Sequence, residues 1–118
     1  MEKQIELALE NSRYNILRLN QYSKGFYIKC NLINYEYKSG DVATIEFMIN
    51  GVAIIQSTDV AIDGDIVVFK LLREVTLNSG KGYFNVVISN SNDNSRTSNF
   101  KADIEIIGNS IDENTVSS

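Results

Sequence analysis

Residues 82–107 constrain the fold most, because two arms with alternating apolar positions flank a short polar loop. In the second arm Phe100, Ala102, Ile104 and Ile106 alternate with Asn99, Lys101, Asp103 and Glu105. That is the period of a strand with one wet face and one buried face. In the first arm Phe84, Val86 and Ile88 share a face, with Tyr83, Asn85 and Ser89 opposite. The loop at 90–95 reads Asn-Ser-Asn-Asp-Asn-Ser, residue types that turn or solvate the backbone. The expectation is an antiparallel hairpin long enough to anchor a sheet.

The remainder carries the same signature in shorter pieces. Ile5, Leu7 and Leu9 alternate with Glu6, Ala8 and Glu10, which favours a strand, although Ile5 and Leu9 also have helical spacing. Asn11-Ser12-Arg13 signals a turn, 14–20 a short extended segment, and Tyr22-Ser23-Lys24-Gly25 a second break. Residues 26–33 predict a strand with Phe26, Ile28, Cys30 and Leu32 on one face. Ala43, Ile45, Phe47 and Ile49 predict another, ending at Asn50-Gly51. Both residues of that dipeptide accept positive φ, so it is a strong hairpin signal, with 52–55 as the return arm. Asp63-Gly64 makes a further turn before an apolar run at 65–72, and 71–77 suits a helical turn as well as a strand.

These runs predict an all-β fold, a two-layer antiparallel β-sandwich of about seven or eight strands. Its core should hold Ile28, Cys30, Phe47, Phe84, Val86, Phe100 and Ile104. The domain is expected over 1–108, with 109–118 a polar exit or the start of a linker. The chain contains no proline. Its sheet edges should therefore be guarded by charges such as Lys29, Lys70 and Lys101, or by a partner chain.

At 118 residues the chain is long enough for one core without covalent staples. Its net charge of −4 argues against nucleic acid and against anionic membrane as partners. The charged N-terminus lacks the apolar core of a signal peptide, which predicts folding in a cytoplasm. Cys30, the only cysteine, falls among apolar alternates and should behave as a small buried hydrophobe.

Histidine is absent, and with it the commonest general base and transition-metal ligand. No phosphate-binding glycine loop precedes a helix. Asp59, Asp63 and Asp65 lie close together, and 90–94 is rich in Asn and Asp. Both read as turn chemistry, since neither has the regular ligand spacing of a calcium loop. The expectation is a protein without catalysis, cofactor or metal. Tyr35 and Tyr37, flanked by Glu36 and Lys38, remain as candidate contact residues. They either cap the open end of the sandwich or meet a partner, a role that a ring with a wet hydroxyl suits.

Four stretches carry a family resemblance: Gly25-Phe26-Tyr27-Ile28-Lys29-Cys30, Met48-Ile49-Asn50-Gly51-Val52-Ala53-Ile54-Ile55, Gly80-Lys81-Gly82-Tyr83-Phe84-Asn85-Val86-Val87-Ile88, and Thr-Ser-Asn-Phe-Lys-Ala-Asp-Ile at 97–104. In this order, with a polar exit, the chain resembles the N-terminal domain of phage baseplate upper proteins from siphophages of Gram-positive hosts. It departs from that pattern at Asn50-Gly51, where the family usually carries Pro-Asp-Gly, and at 22–25, where an acidic turn is usual. The resemblance implies an immunoglobulin-like sandwich and a structural virion protein located in the tail baseplate. Such a domain would pass through the host cytoplasm during assembly. Its partners would be the distal tail hub and, through the rest of a longer chain, receptor-binding proteins; a homo-oligomer within the baseplate is compatible with that role. The alternative from another class is a carbohydrate-binding or adhesion module acting on a cell surface.

Overall fold

The computed structural model describes residues 4–10 and 15–108. The predicted turn at 11–13 and the polar exit at 109–118 lie outside the described residues. Nine strands and one helical turn follow one another: β1 (Gln4–Leu9), β2 (Ile16–Asn20), β3 (Tyr27–Leu32), β4 (Asp41–Ile49), β5 (Val52–Gln56), β6 (Val60–Asp63), β7 (Ile66–Lys70), α1 (Arg73–Thr76), β8 (Gly80–Asn90) and β9 (Thr97–Ile107). They form a four-stranded sheet in the order β1-β3-β7-β6 and a five-stranded sheet in the order β2-β9-β8-β4-β5.

The hairpin read from 82–107 is β8–β9, with Val86 opposite Phe100 and Phe84 opposite Ala102. β4 pairs with the other side of β8, so Phe47 lies opposite Phe84. Gly82 has no alternative there, because a Cβ would lie 1.8 Å from the Met48 carbonyl oxygen. The Asn50-Gly51 turn joins β4 to β5 with φ of +53° and +77°, the two positive values a tight hairpin needs.

The sandwich is as expected, but its sheets are mixed rather than antiparallel. β1 runs parallel to β3, and β2 runs parallel to β9. Alternation fixes which face of a strand is buried and is silent on its direction. The ambiguous stretch at 71–77 resolves into α1, a single turn that buries Val75 and Thr76. Lys29, Lys70 and Lys101 do not guard edges. They stand on β3, β7 and β9, each of which has a neighbour on both sides.

All seven predicted core residues are buried, joined by Leu17, Leu19, Val67, Phe69 and others from both sheets. Phe47, Phe69 and Phe84 meet in a triangle with ring centroids 5.8–5.9 Å apart, tying β7 of one sheet to β4 and β8 of the other. Such ring pairs add about 0.5–1.5 kcal/mol each beyond the area they bury. Cys30 lies within the same core, and burial pushes its thiol pKa up to about 12. It is packed as a hydrophobe and held protonated, which suppresses thiolate chemistry.

Candidate interaction surfaces

Asp41 is the first residue of β4 and shares its inward phase with Ala43, Ile45, Phe47 and Ile49. A carboxylate at that position has to be matched, and four groups converge on it. Arg96 donates from Nε to Oδ1 and from Nη2 to Oδ2, both at 2.8 Å. Asn90 Nδ2 donates to Oδ1 at 2.8 Å, and the Lys38 backbone N–H donates to Oδ2 at 3.0 Å. The Tyr35 hydroxyl completes the set on Oδ2. The Asp41 side chain is fully buried and that of Arg96 is 28% exposed. The guanidinium, then the Asn90, Tyr35 and Lys38 donors, hold the carboxyl far below the usual carboxylate range, outweighing the opposing effect of burial. Burial and the neighbouring carboxylate push the Tyr35 hydroxyl up to about 12.

This clamp joins two loops that the sequence separates by more than fifty residues. Arg96 Nη2 also donates to the Glu36 carbonyl at 2.6 Å, and Asn90 Nδ2 to the Ser39 carbonyl at 3.0 Å. The backbone N–H of Ser91 donates to the Gly40 carbonyl at 2.9 Å. Loop 33–40 is thereby pinned to loop 91–96 from the inside.

Tyr35 and Tyr37 consequently occupy different settings. The Tyr35 ring is half-buried, edge-on to Phe100 at 5.9 Å and under the Arg96 guanidinium, with its hydroxyl engaged by Asp41. Tyr37 is 44% exposed. The backbone on each side of it is fixed, the Glu36 carbonyl by Arg96 and the Lys38 N–H by Asp41. An open ring on a fixed backbone can meet a partner with little ordering cost.

The clustered aspartates of the loops serve turns. Asp63 and Asp65 flank Gly64 between β6 and β7, and all three residues are exposed. In loop 91–96, Asp93 Oδ1 accepts from the Ser95 N–H at 3.0 Å and hydroxyl at 2.6 Å. These bonds lower its carboxyl pKa. Asn90 serves both the clamp and the loop: its Nδ2 donates to Asp41, and its Oδ1 accepts from the Asn92 N–H at 2.8 Å.

The opposite end of the sandwich is built differently. A cleft of about 570 Å³ opens between the β4–β5 hairpin and the α1 region, lined by Ile49, Val52, Ile54 and Val75 together with the polar Gln21, Asn50, Glu74, Asn78 and Ser79. On the outer face of the five-stranded sheet, Lys101 Nζ sits 4.0 Å from the Tyr83 ring centroid. Beside this pair a shallow notch of about 150 Å³ is lined by Glu46, Met48, Ala53 and Ile55.

No family model matches the chain, and no curated protein does. Among solved structures, the N-terminal domain of phage TP901-1 ORF48 superposes with a TM-score of 0.64 at 13% identity, covering 90% of this chain and 98% of that one. The cysteine protease inhibitor EhICP2 from Entamoeba histolytica aligns with a TM-score of 0.43 at 12% identity, over 87% of this chain and 96% of that one. The first likeness shows a fold in common with a phage protein's N-terminal domain.

Proposed function

We propose that this chain is a structural component of a phage tail, the N-terminal baseplate domain of a protein that docks on the tail hub and helps carry receptor-binding proteins. The observation that carries this reading is the superposition on the TP901-1 ORF48 domain, which spans nearly the whole of both chains. It agrees in kind with the family resemblance carried by the turn and strand motifs of the sequence. The role needs no catalysis, cofactor or metal. That suits a chain without histidine, in which the one buried carboxylate–guanidinium pair among the described residues ties two loops together. In the virion the domain contacts other tail proteins, and neither nucleic acid nor membrane is a partner.

Tyr37 is the contact residue we assign to docking, with Tyr35 beneath it as part of the clamp that fixes the loop. The test is a pull-down of the purified domain against the distal tail and receptor-binding proteins of its own phage, repeated with Tyr37→Ser. Binding to the hub protein that falls at least about tenfold in the variant supports both the role and the surface. An exposed tyrosine beside Lys38 would also suit a sugar platform. Saturable binding to host cell-wall glycan, with no tail component retained, would establish the adhesion reading instead.

A further inference from the structure

Four strands form the edges of the two sheets, β1 and β6 in one and β2 and β5 in the other. Three contain a charge that discourages pairing with another chain: Glu6 in β1, Arg18 in β2 and Asp63 in β6. The fourth, β5, reads Val-Ala-Ile-Ile-Gln and has none. It also exposes more apolar surface than the others, with Val52 60% and Ile55 69% accessible. Both ends are tied down. Asn50 Nδ2 donates to the Ser79 carbonyl at 2.7 Å, and the buried Gln56 amide donates to the Thr58 and Lys70 carbonyls at 3.0 and 2.9 Å. An uncharged, apolar and anchored strand with one side unpaired among the described residues is a ready template for β-augmentation.

We propose that the occupant of this edge is β5 of a second copy of the chain, paired antiparallel about a two-fold axis through Ile54. Pairing that keeps the outer faces of both sheets on one side needs residue numbers of matching parity to oppose each other. Within that set, only the register centred on Ile54 pairs all of Val52–Gln56 with itself. In this register Ala53 of one copy faces Ile55 of the other, twice over. Ala53 and Ile55 point to the outer face, where Ala53 lies opposite Met48 and both residues border the shallow notch. The small residue leaves room beside Met48 that the large one of the second copy fills, and no charge opposes a like charge. An acidic chain of net charge −4 disfavours most self-contacts, so an uncharged edge is where two copies can approach. The paired edge joins two five-stranded sheets into one continuous sheet.

Sedimentation of the chain from low micromolar to millimolar concentration tests this independently of the tail reading, because no tail protein is present. A five-residue edge is small beside a standard interface of about 800 Å² per partner, so the dimer should be a weak one that grows in across this concentration range. Ala53→Lys/Ile55→Lys places lysines directly opposite lysines and should weaken association about tenfold or more. Ala53→Glu/Ile55→Lys places two ion pairs across the same axis and should restore association, with affinity falling as salt is added. Both positions are exposed, and thermal melts of dilute protein verify that each variant is folded. A wild-type chain that stays monomeric to millimolar concentration overturns the proposal. So does a dimer that the two double variants leave equally strong, or equally weak.

Discussion

The two ends of β4 lie roughly 26 Å apart at the usual rise of a strand, and they solve the closing of a sandwich in opposite ways. At the Asp41 end a buried carboxylate gathers Arg96, Asn90, Tyr35 and a backbone N–H, and two loops lock together. At the Ile49 end one helical turn inserts Val75 and Thr76, and a cleft of mixed polar and apolar lining stays open beside it. Polar closure needs every partner in place, since a buried charge left unmatched is costly, and it gives loops of one defined shape. Closure by packing around Val75 tolerates an imperfect fit and leaves a groove. The difference places a rigid contact loop at one end and adaptable surface at the other.

Experiments can break this contrast in order of expected effect. Phe100→Ala removes the ring on which Tyr35 rests and should cost about 3–5 kcal/mol in denaturant melts. Asp41→Asn leaves the Arg96 guanidinium without its counter-charge and should cost about 3 kcal/mol. That substitution also sharpens the contrast through pH. The carboxyl pKa of Asp41 is depressed by folding, so its stabilisation is complete above the unfolded value of about 3.9 and is lost as pH falls below it. The parent should lose stability steeply on acidification below about pH 4, and Asp41→Asn should lose markedly less. Equal acid slopes would show that the clamp does not govern that end.

At the other end, Thr76→Val removes a hydroxyl that donates to the Ser23 carbonyl at 2.5 Å. The expected loss is about 1–2 kcal/mol with no change in the acid limb. The smallest effect belongs to Tyr37→Ser, which should change stability by less than about 0.5 kcal/mol and, on the docking role proposed above, should still weaken hub binding. A large stability loss there would mean that Tyr37 supports the clamp as Tyr35 does.

The contrast also explains what could be read from the residues alone. The β8–β9 hairpin, the Asn50-Gly51 turn and the seven core residues were legible because they are local patterns of alternation and turn chemistry. The parallel neighbours of β1 and β2 were not, since they depend on strands distant in the chain. Nor was the clamp, whose members Asp41 and Arg96 are 55 positions apart. One signal was available. Asp41, Gln56 and Asn90 each occupy the inward phase of an otherwise apolar strand, and all three are buried. A polar residue in that phase requires a hydrogen-bond partner, and two of the three are in contact. The tyrosine pair looked equivalent in sequence, and only the folded loop separates Tyr35, engaged by Asp41, from Tyr37, exposed to solvent.

The parallel pairing of β2 with β9 has a consequence for how the chain is made. β9 occupies the second place in the five-stranded sheet, between β2 and β8, and the Arg18–Glu105 bond spans 87 positions. A ribosome delivers β2 early, and the backbone of that strand has no pairing neighbour until β9 has emerged. Closing so long a loop is slow, and until it closes the unpaired edge of β2 is open to wrong pairing. The five-stranded sheet therefore cannot be complete until nearly all of the sandwich has been synthesised.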